Sequence, residues 1–217
     1  MFESALSRET QSNLAAIGQT PLAAAFYLAG GTAVALHLGH RFSFDLDFFS
    51  EKHFNVDEVL TTLKSLGEVK TFQATADTFN GELNGVRISF FLYPYPVLDA
   101  FSLFSGVQIA TLRDLAAMKV DAITRRGTKR DFIDLYFICR RSFSLQEAME
   151  YYFMKFRAFN ISEIHVYKSL VYFADAEDDT HPQMIQPVRW DDVKAFFQQE
   201  VPRLYRQRFG GDGDGSF

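Results

Sequence analysis

Cysteine is nearly absent from this chain: Cys139 is the single one in 217 residues. That excludes an internal disulfide and suits a reducing compartment. Cys139 falls inside an apolar helical run, so it reads as an inert core thiol and not as a nucleophile. An excess of positive charge is lacking too. With 22 Lys and Arg against 27 Asp and Glu, the net charge is −5. Coating of long nucleic acid by charge alone is therefore disfavoured, although a local basic groove is not. There is no clean apolar run of membrane length. Leu22–Leu38 comes nearest, but Gly30, Gly31, Thr32 and His37 interrupt it. The start, MFESALSRETQ, has neither the basic head nor the apolar stretch of a signal peptide. The expectation is a soluble, cytoplasmic protein with no membrane partner. His37, His40 and His53 show no zinc-type spacing, and His165 and His181 are isolated. Gly-x-Ser-x-Gly, Walker and Rossmann patterns are missing, as are internal repeats.

Phenylalanine is what the chain has in quantity, at 24 residues. With 47% hydrophobic and 23% charged residues the composition is that of a globular protein with a large aromatic core. The rest is organised around Phe26–Phe49, FYLAGGTAVALHLGHRFSFDLDFF. It reads as a short apolar run, a Gly-Gly pair, a helix at about Thr32–Leu38 and a strand with two aspartates. On a strand Ser43, Asp45 and Asp47 share one face, and Phe42, Phe44, Leu46 and Phe48 share the other and are free to be core. The two aspartates would stand roughly 6 to 7 Å apart at Cα. At an effective dielectric of about 20 they repel by about 2 to 3 kcal/mol. A hard divalent cation such as Mg²⁺, which takes few protein carboxylates and fills its shell with water and phosphate oxygens, offsets that cost. Gly30 and Gly31 let the backbone turn sharply before the helix, whose first N–H groups and dipole favour an anion. A phosphate cradle beside a two-aspartate metal strand points to chemistry on a nucleoside triphosphate. The plain alternative is a tight turn followed by a solvated strand face.

This arrangement resembles the DNA polymerase β-like nucleotidyltransferase superfamily: Ala29-Gly30-Gly31, thirteen residues, then Asp45-Leu46-Asp47-Phe48. The fuller string is similar to the AbiEii/AbiGii toxin-like family of bacterial toxin–antitoxin pairs, with Gly39, Arg41, Ser43, Asp45, Asp47 and Phe49 at recurring positions. The resemblance extends to LRDLAAMKVDAITRRGTKRDFIDLYF, residues 112–137. By analogy Lys119 would neutralise the triphosphate, and Asp131 and Asp134, one turn apart, would orient Lys119, another basic group or the acceptor. Arg126, with Lys129 and Arg130, crowds the turn before them. The alternative there is a surface helix pair laced by charge pairs. One departure stands out. A third carboxylate expected on a later strand is replaced by Ser89, which leaves the base to Asp47, to Asp131 or another group, or to the metal alone.

Along the chain, residues 1–20 read as a sparse amphipathic helix. Val56–Leu66 is a helix stopped by Gly67, and Val69–Ala76, Thr78–Leu83 and Val86–Tyr93 are strands, with Asn84-Gly85 as a hairpin turn. Val107–Ala110 is a last short strand. Helices follow at Leu115–Arg125, after a Thr111–Asp114 capping pattern, and at Arg130–Arg140. Ser144 with Glu147 caps a third, running to about Arg157. Ser162–Ala174 and Trp190–Val201 complete the series, separated by a solvated acidic loop at Asp175–Asp179. The expected class is α+β. A nucleotidyltransferase-type mixed sheet with flanking helices occupies 1–110, a helical domain completing a cleft occupies 111–209, and 210–217 is a disordered tail.

The implied function is metal-dependent transfer of NMP from an NTP to an RNA hydroxyl, tRNA included, or to a protein hydroxyl. The protein would be the toxin partnered by an antitoxin. Asp45 and Asp47 would hold Mg²⁺ or Mn²⁺. Gly30, Gly31, Thr32 and Ser43 would bind phosphates, with Arg41, Lys119 and Arg126 offsetting charge. Ser89 motivates an alternative, a catalytically weak or inactive nucleotide-binding regulatory protein on the same scaffold. A glycosyltransferase, which also uses Asp-x-Asp, is disfavoured by the short chain and by the absence of a preceding βαβ series.

Overall fold

The structure is a computed structural model and describes residues 1–210. The tail expected to be disordered lies, from residue 211 on, outside the described residues. The chain folds as two compact units, Met1–Leu115 and Ala116–Phe217.

The first unit holds a mixed sheet of seven strands among the described residues, in the order β3-β4-β5-β2-β1-β7-β6. The strands are β1 Tyr27–Ala29, β2 Leu46–Ser50, β3 Val69–Thr75, β4 Thr78–Leu83, β5 Val86–Leu92, β6 Ser102–Phe104 and β7 Val107–Ile109. β2 runs antiparallel to β1 and parallel to β5, and β1 runs parallel to β7. Asn84 and Gly85 both have positive φ, at 50° and 80°. This is the twist a two-residue hairpin needs, and it closes β4 onto β5. Ser105-Gly106 makes a second such turn between β6 and β7, with φ of 50° and 79°. No strong sequence signal marks β6.

One sheet face is the core. Leu46, Phe48, Ile88, Phe90, Phe79 and Leu83 are buried there, and the Phe48 and Phe90 rings stack at 4.9 Å. Each such ring buried is worth about 1.5 to 3 kcal/mol. Helix α3, Gly30–Leu38, is apolar around most of its circumference and correspondingly buried. Gly39, at φ 58°, ends it in the left-handed conformation and donates its N–H to Ala35. Helix α4, Val56–Leu66, buries Val59 and Leu63 and stops at Gly67. The opposite face, with Asp47, Phe49, Ser89, Phe91 and Asn80, is half-buried.

Several expectations need correction. The N-terminal segment is a 3-10 turn at Glu3–Ala5 followed by α1, Arg8–Ile17, capped by Ser7. A short helix, α2, covers Leu22–Ala25. The aspartate strand starts at Leu46, not at Phe42. Residues 41–45 are held by an isolated bridge between Ser43 and Leu6. Without a ladder beside them, Phe42 and Phe44 are 38% and 48% exposed and are not core.

Helix α5, Leu112–Arg125, begins in the first unit and runs into the second. The second unit continues with α6 Lys129–Arg141, α7 Leu145–Lys155, α8 Glu163–Ser169, α9 Ala174–Glu177 and α10 Trp190–Phe209. The Ser144–Glu147 capping box is complete at the start of α7. The single helix expected at Ser162–Ala174 is two, α8 and α9. Asp179 in the acidic segment is not merely solvated: it accepts from the Lys129 backbone N–H at 2.9 Å, and its carbonyl accepts from Lys129 Nζ at 2.5 Å. α10 passes through Pro202, because Val193, Phe197, Val201 and Leu204 keep one apolar face buried across it. The Cys139 thiol is pushed up in pKa by burial, as befits a packing residue.

Candidate functional site

β1 delivers the chain to Gly30 at φ +67°, a conformation costly for any residue with a side chain. A Cβ there would lie 3.0 Å from Asp47 Oδ2. The close approach follows from register. Ala29 is paired with Asp47 across β1 and β2, so the residue that leaves the strand next turns over the aspartate. The α3 start has no side-chain cap from its N-cap residue, Ala29, and the first N–H groups of a helix are the ones an anion can use.

Thr32 and Ser43 face each other. Their hydroxyls are 2.7 Å apart, both side chains are buried, and Thr32 Oγ1 also donates to the Asp45 carbonyl. This clamp fixes the first turn of α3 to the segment carrying Asp45, the job a ladder does elsewhere. Arg41 is buried, and its Nη1 donates to the Phe42 carbonyl at 3.0 Å, bracing the turn after α3. His37 Nε2 donates to the Ala110 carbonyl at 2.8 Å. Burial lowers its pKa, partly offset by that hydrogen bond, so it is a neutral packing histidine. On β5, Ser89 stands opposite Asp47 in the parallel register, and on its other side it meets Asn80 of β4. The place beside Asp47 thus carries a hydroxyl and a carboxamide.

Two carboxylates of hard oxygen, Asp45 and Asp47, suit Mg²⁺, which keeps several waters and takes phosphate oxygens. Among the described residues no group of three or more His, Cys, Asp and Glu is placed to hold a metal. An all-protein cage of the zinc or calcium kind is not what the donor set offers.

In the second unit Lys119 of α5 lies between Asp131 and Asp134 of α6. Nζ is 2.8 Å from Asp131 Oδ1 and 2.7 Å from Asp134 Oδ2, and its side chain is 6% exposed. Asp131 also accepts from Arg126 Nε at 3.1 Å and from Thr128 Oγ1 at 2.6 Å. Burial alone would raise the Asp131 pKa. The charges of Lys119 and Arg126, with hydrogen bonds from Lys119 and Thr128, outweigh it and bring the carboxyl down to about 2. Such a carboxylate holds other groups in place and accepts protons poorly. Arg126, 67% exposed, is the cation of this network that reaches solvent. Thr128 was missed by sequence reasoning. Its signal was a Thr three residues before Asp131 at a helix start, the capping-box spacing.

No helix among the described residues is long and apolar enough to cross a membrane. Compared with known proteins, the chain matches the family described as nucleotidyl transferase AbiEii toxin, type IV TA system, over residues 13–95 and 85–212. It is 37% identical over 201 residues to an uncharacterized protein of Aquifex aeolicus, covering 90% of this chain and 96% of the relative. Among solved structures it is similar to MenT4, a nucleotidyltransferase toxin of Mycobacterium tuberculosis. The TM-score is 0.57 at 16% identity, over 91% of this chain and 88% of that one. It is similar as well to JHP933 from Helicobacter pylori, with a TM-score of 0.53 at 18% identity, over 94% and 97% of the two chains. At these identities the two structures bear on the fold.

Proposed function

The chain belongs to the AbiEii family of nucleotidyltransferase toxins, and from that premise we propose that it transfers a nucleoside monophosphate from an NTP to a hydroxyl of RNA or protein, tRNA included, as the toxin of a toxin–antitoxin pair acting in the cytoplasm. The observation that carries this reading is the Asp47 carboxylate lying against Gly30. A triphosphate seated on the α3 N-terminus has its phosphates beside the carboxylates. Mg²⁺ or Mn²⁺, where bound, would supply charge neutralisation at the phosphates.

The residues divide the work. Asp45 and Asp47 would hold the metal. The N–H groups at Gly30 and Gly31 receive the β- and γ-phosphates. Thr32 and Ser43 lock that cradle to the Asp45 segment, and Arg41 braces the turn. Within the second unit, Asp131 and Asp134 hold Lys119 as one charged group, and Arg126 binds the same Asp131 carboxylate. The acceptor oxygen bonds to the α-phosphorus as the bond to the β-bridging oxygen breaks. Pyrophosphate leaves with that electron pair, and the hydroxyl proton passes to water. Asp131 is a poor candidate for that proton, with its carboxyl at about 2.

The test uses NTPs labelled at the α-phosphate, Mg²⁺ and total RNA or protein. Label transfer that is abolished by Asp47→Asn supports the reading; no transfer from any NTP contradicts it. Ser89 beside Asp47 favours a second reading, a nucleotide-binding regulator with little turnover. Calorimetry showing tight NTP binding with no transfer to either acceptor class selects it.

A further inference from the structure

A cavity of about 240 Å³ opens in the first unit beside Asp45, lined by Ser7, Thr10, Phe44, Asn84 and Arg87 as well as the aspartate itself. The β2–β5 register pairs Leu46 with Ile88 and Asp47 with Ser89, so its continuation sets Asp45 beside Arg87. Arg87 shares the Asp47 and Ser89 sheet face, because it is two residues before Ser89. Its side chain is exposed, and among the described residues it makes no hydrogen bond or ion pair. Glu82, opposite it on β4, is paired with Lys70 at 3.5 Å. Glu9 is the other charged group at the rim.

Phe44 is an aromatic ring 48% exposed on a backbone that is tied down. Its carbonyl accepts from Thr10 Oγ1 at 3.4 Å, and its neighbour Ser43 is bridged to Leu6. A lone surface ring needs no explanation. A half-exposed ring on an anchored backbone, an uncommitted guanidinium and small hydroxyl and amide groups in one cavity, next to a proposed metal ligand, have the chemistry that grips single-stranded nucleic acid. Rings stack bases, and arginine takes a phosphate or stacks in turn.

We propose that this cavity is the acceptor subsite and that the acceptor is RNA. Arg87 binds a phosphate next to the reacting hydroxyl, and Phe44 stacks a base beside it. The inference rests on the nucleotidyl-transfer reading and narrows its acceptor to RNA. A protein acceptor would leave Phe44 without a base to stack and Arg87 without a phosphate.

Binding is tested apart from catalysis, on the full chain without NTP. Probes are a fluorescein-labelled single-stranded RNA dodecamer with a free 3′-hydroxyl, and total tRNA. Anisotropy is followed over a salt series for wild type, Arg87→Gln and Phe44→Ala, and Mg-NTP binding is measured by calorimetry on the same proteins. The expected result is that Arg87→Gln weakens RNA binding at least threefold and flattens the log K against log salt slope by about 0.7, one phosphate contact on a single strand. Phe44→Ala weakens it about 5- to 100-fold, the range for one lost base stack, and Mg-NTP binding is unchanged in both. RNA bound equally by all three proteins, or no RNA binding by a wild type that binds Mg-NTP, overturns the subsite and leaves the nucleotide reading in place. RNA binding that depends on Arg87 and Phe44 in a protein that binds no NTP upholds the subsite and sinks the nucleotide reading. Because both residues are exposed, loss of folding does not confound the comparison, and unchanged thermal melting checks this.

Discussion

Asp47 lies against Gly30: its Oδ2 is 3.0 Å from where a Gly30 Cβ would be. The carboxylate proposed to hold the metal and the turn proposed to seat the phosphates are therefore neighbours through the pairing of β1 with β2. A site of this kind is fixed by backbone register and needs no long side chain to find its place.

Gly30→Ala tests that relationship. The added methyl must adopt φ +67° and press on the carboxylate, at a cost of about 1 to 2 kcal/mol in stability. Transfer activity should fall at least tenfold in protein that remains folded. Urea denaturation and label transfer on the same preparation measure both. Activity within twofold of wild type would mean the turn does not touch the nucleotide.

Lys119 is one cation held between two buried carboxylates. Lys119→Met should cost about 3 to 5 kcal/mol, the usual result of leaving buried charges without their partner. Adding Asp134→Leu should restore at least half of that loss, because Asp131 keeps Arg126 and Thr128. Chemical denaturation of the four proteins in the cycle gives the coupling directly.

Acid should destabilise the fold through the same network. Asp131 ionises at about 2 in the folded chain against about 3.9 when unfolded. As pH falls the unfolded state takes up its proton first. The contribution is complete above about pH 4 and is lost between about pH 4 and 2, on the order of 2 kcal/mol. His37 acts in the same direction at higher pH: burial holds its folded pKa below the ordinary value, so stability begins to fall below about pH 6.5. Asp131→Asn should be less stable at pH 7 and show a flatter profile below pH 4. Urea midpoints across pH measure this.

Ser89→Asp should convert the second reading into a measurement. It places a carboxylate opposite Asp47 in register, at about 4.8 Å between strands. Without metal the added repulsion should cost about 1 to 3 kcal/mol. Millimolar Mg²⁺ should recover much of it and bind more tightly than to wild type, as thermal melting with and without MgCl₂ would show. A variant indifferent to Mg²⁺ would place the metal elsewhere.

Much of this was legible in the sequence where local chemistry and packing agree. Val56–Leu66 is a helix with both ends as expected, because its apolar period and Gly67 give the same answer. Asn84-Gly85 and the Ser144–Glu147 box likewise carry their geometry in their own side chains. Phe42 and Phe44 misled because alternation promises a strand face without saying whether a neighbouring strand exists, and here the segment makes isolated bridges, such as Ser43 to Leu6, instead of a ladder. α10 runs on past the expected end at Val201, because the buried face from Val193 to Leu204 outweighs the N–H missing at Pro202. The Gly-Gly turn before α3 and the place of Asp47 on a strand could be read directly, whereas Asp45, expected on the same strand, lies just before it. The Thr32–Ser43 clamp could not, because it depends on how a helix start meets a segment eleven residues away.

The most direct test of the account is a crystal grown with a non-hydrolysable NTP analogue and Mn²⁺, read by its anomalous signal. The prediction is a Mn²⁺ peak within about 2.2 Å of carboxylate oxygens of both Asp45 and Asp47, with the β- or γ-phosphate accepting from N–H groups at Gly30 and Gly31. A peak that touches neither aspartate, or a triphosphate bound away from the diglycine turn, would contradict it.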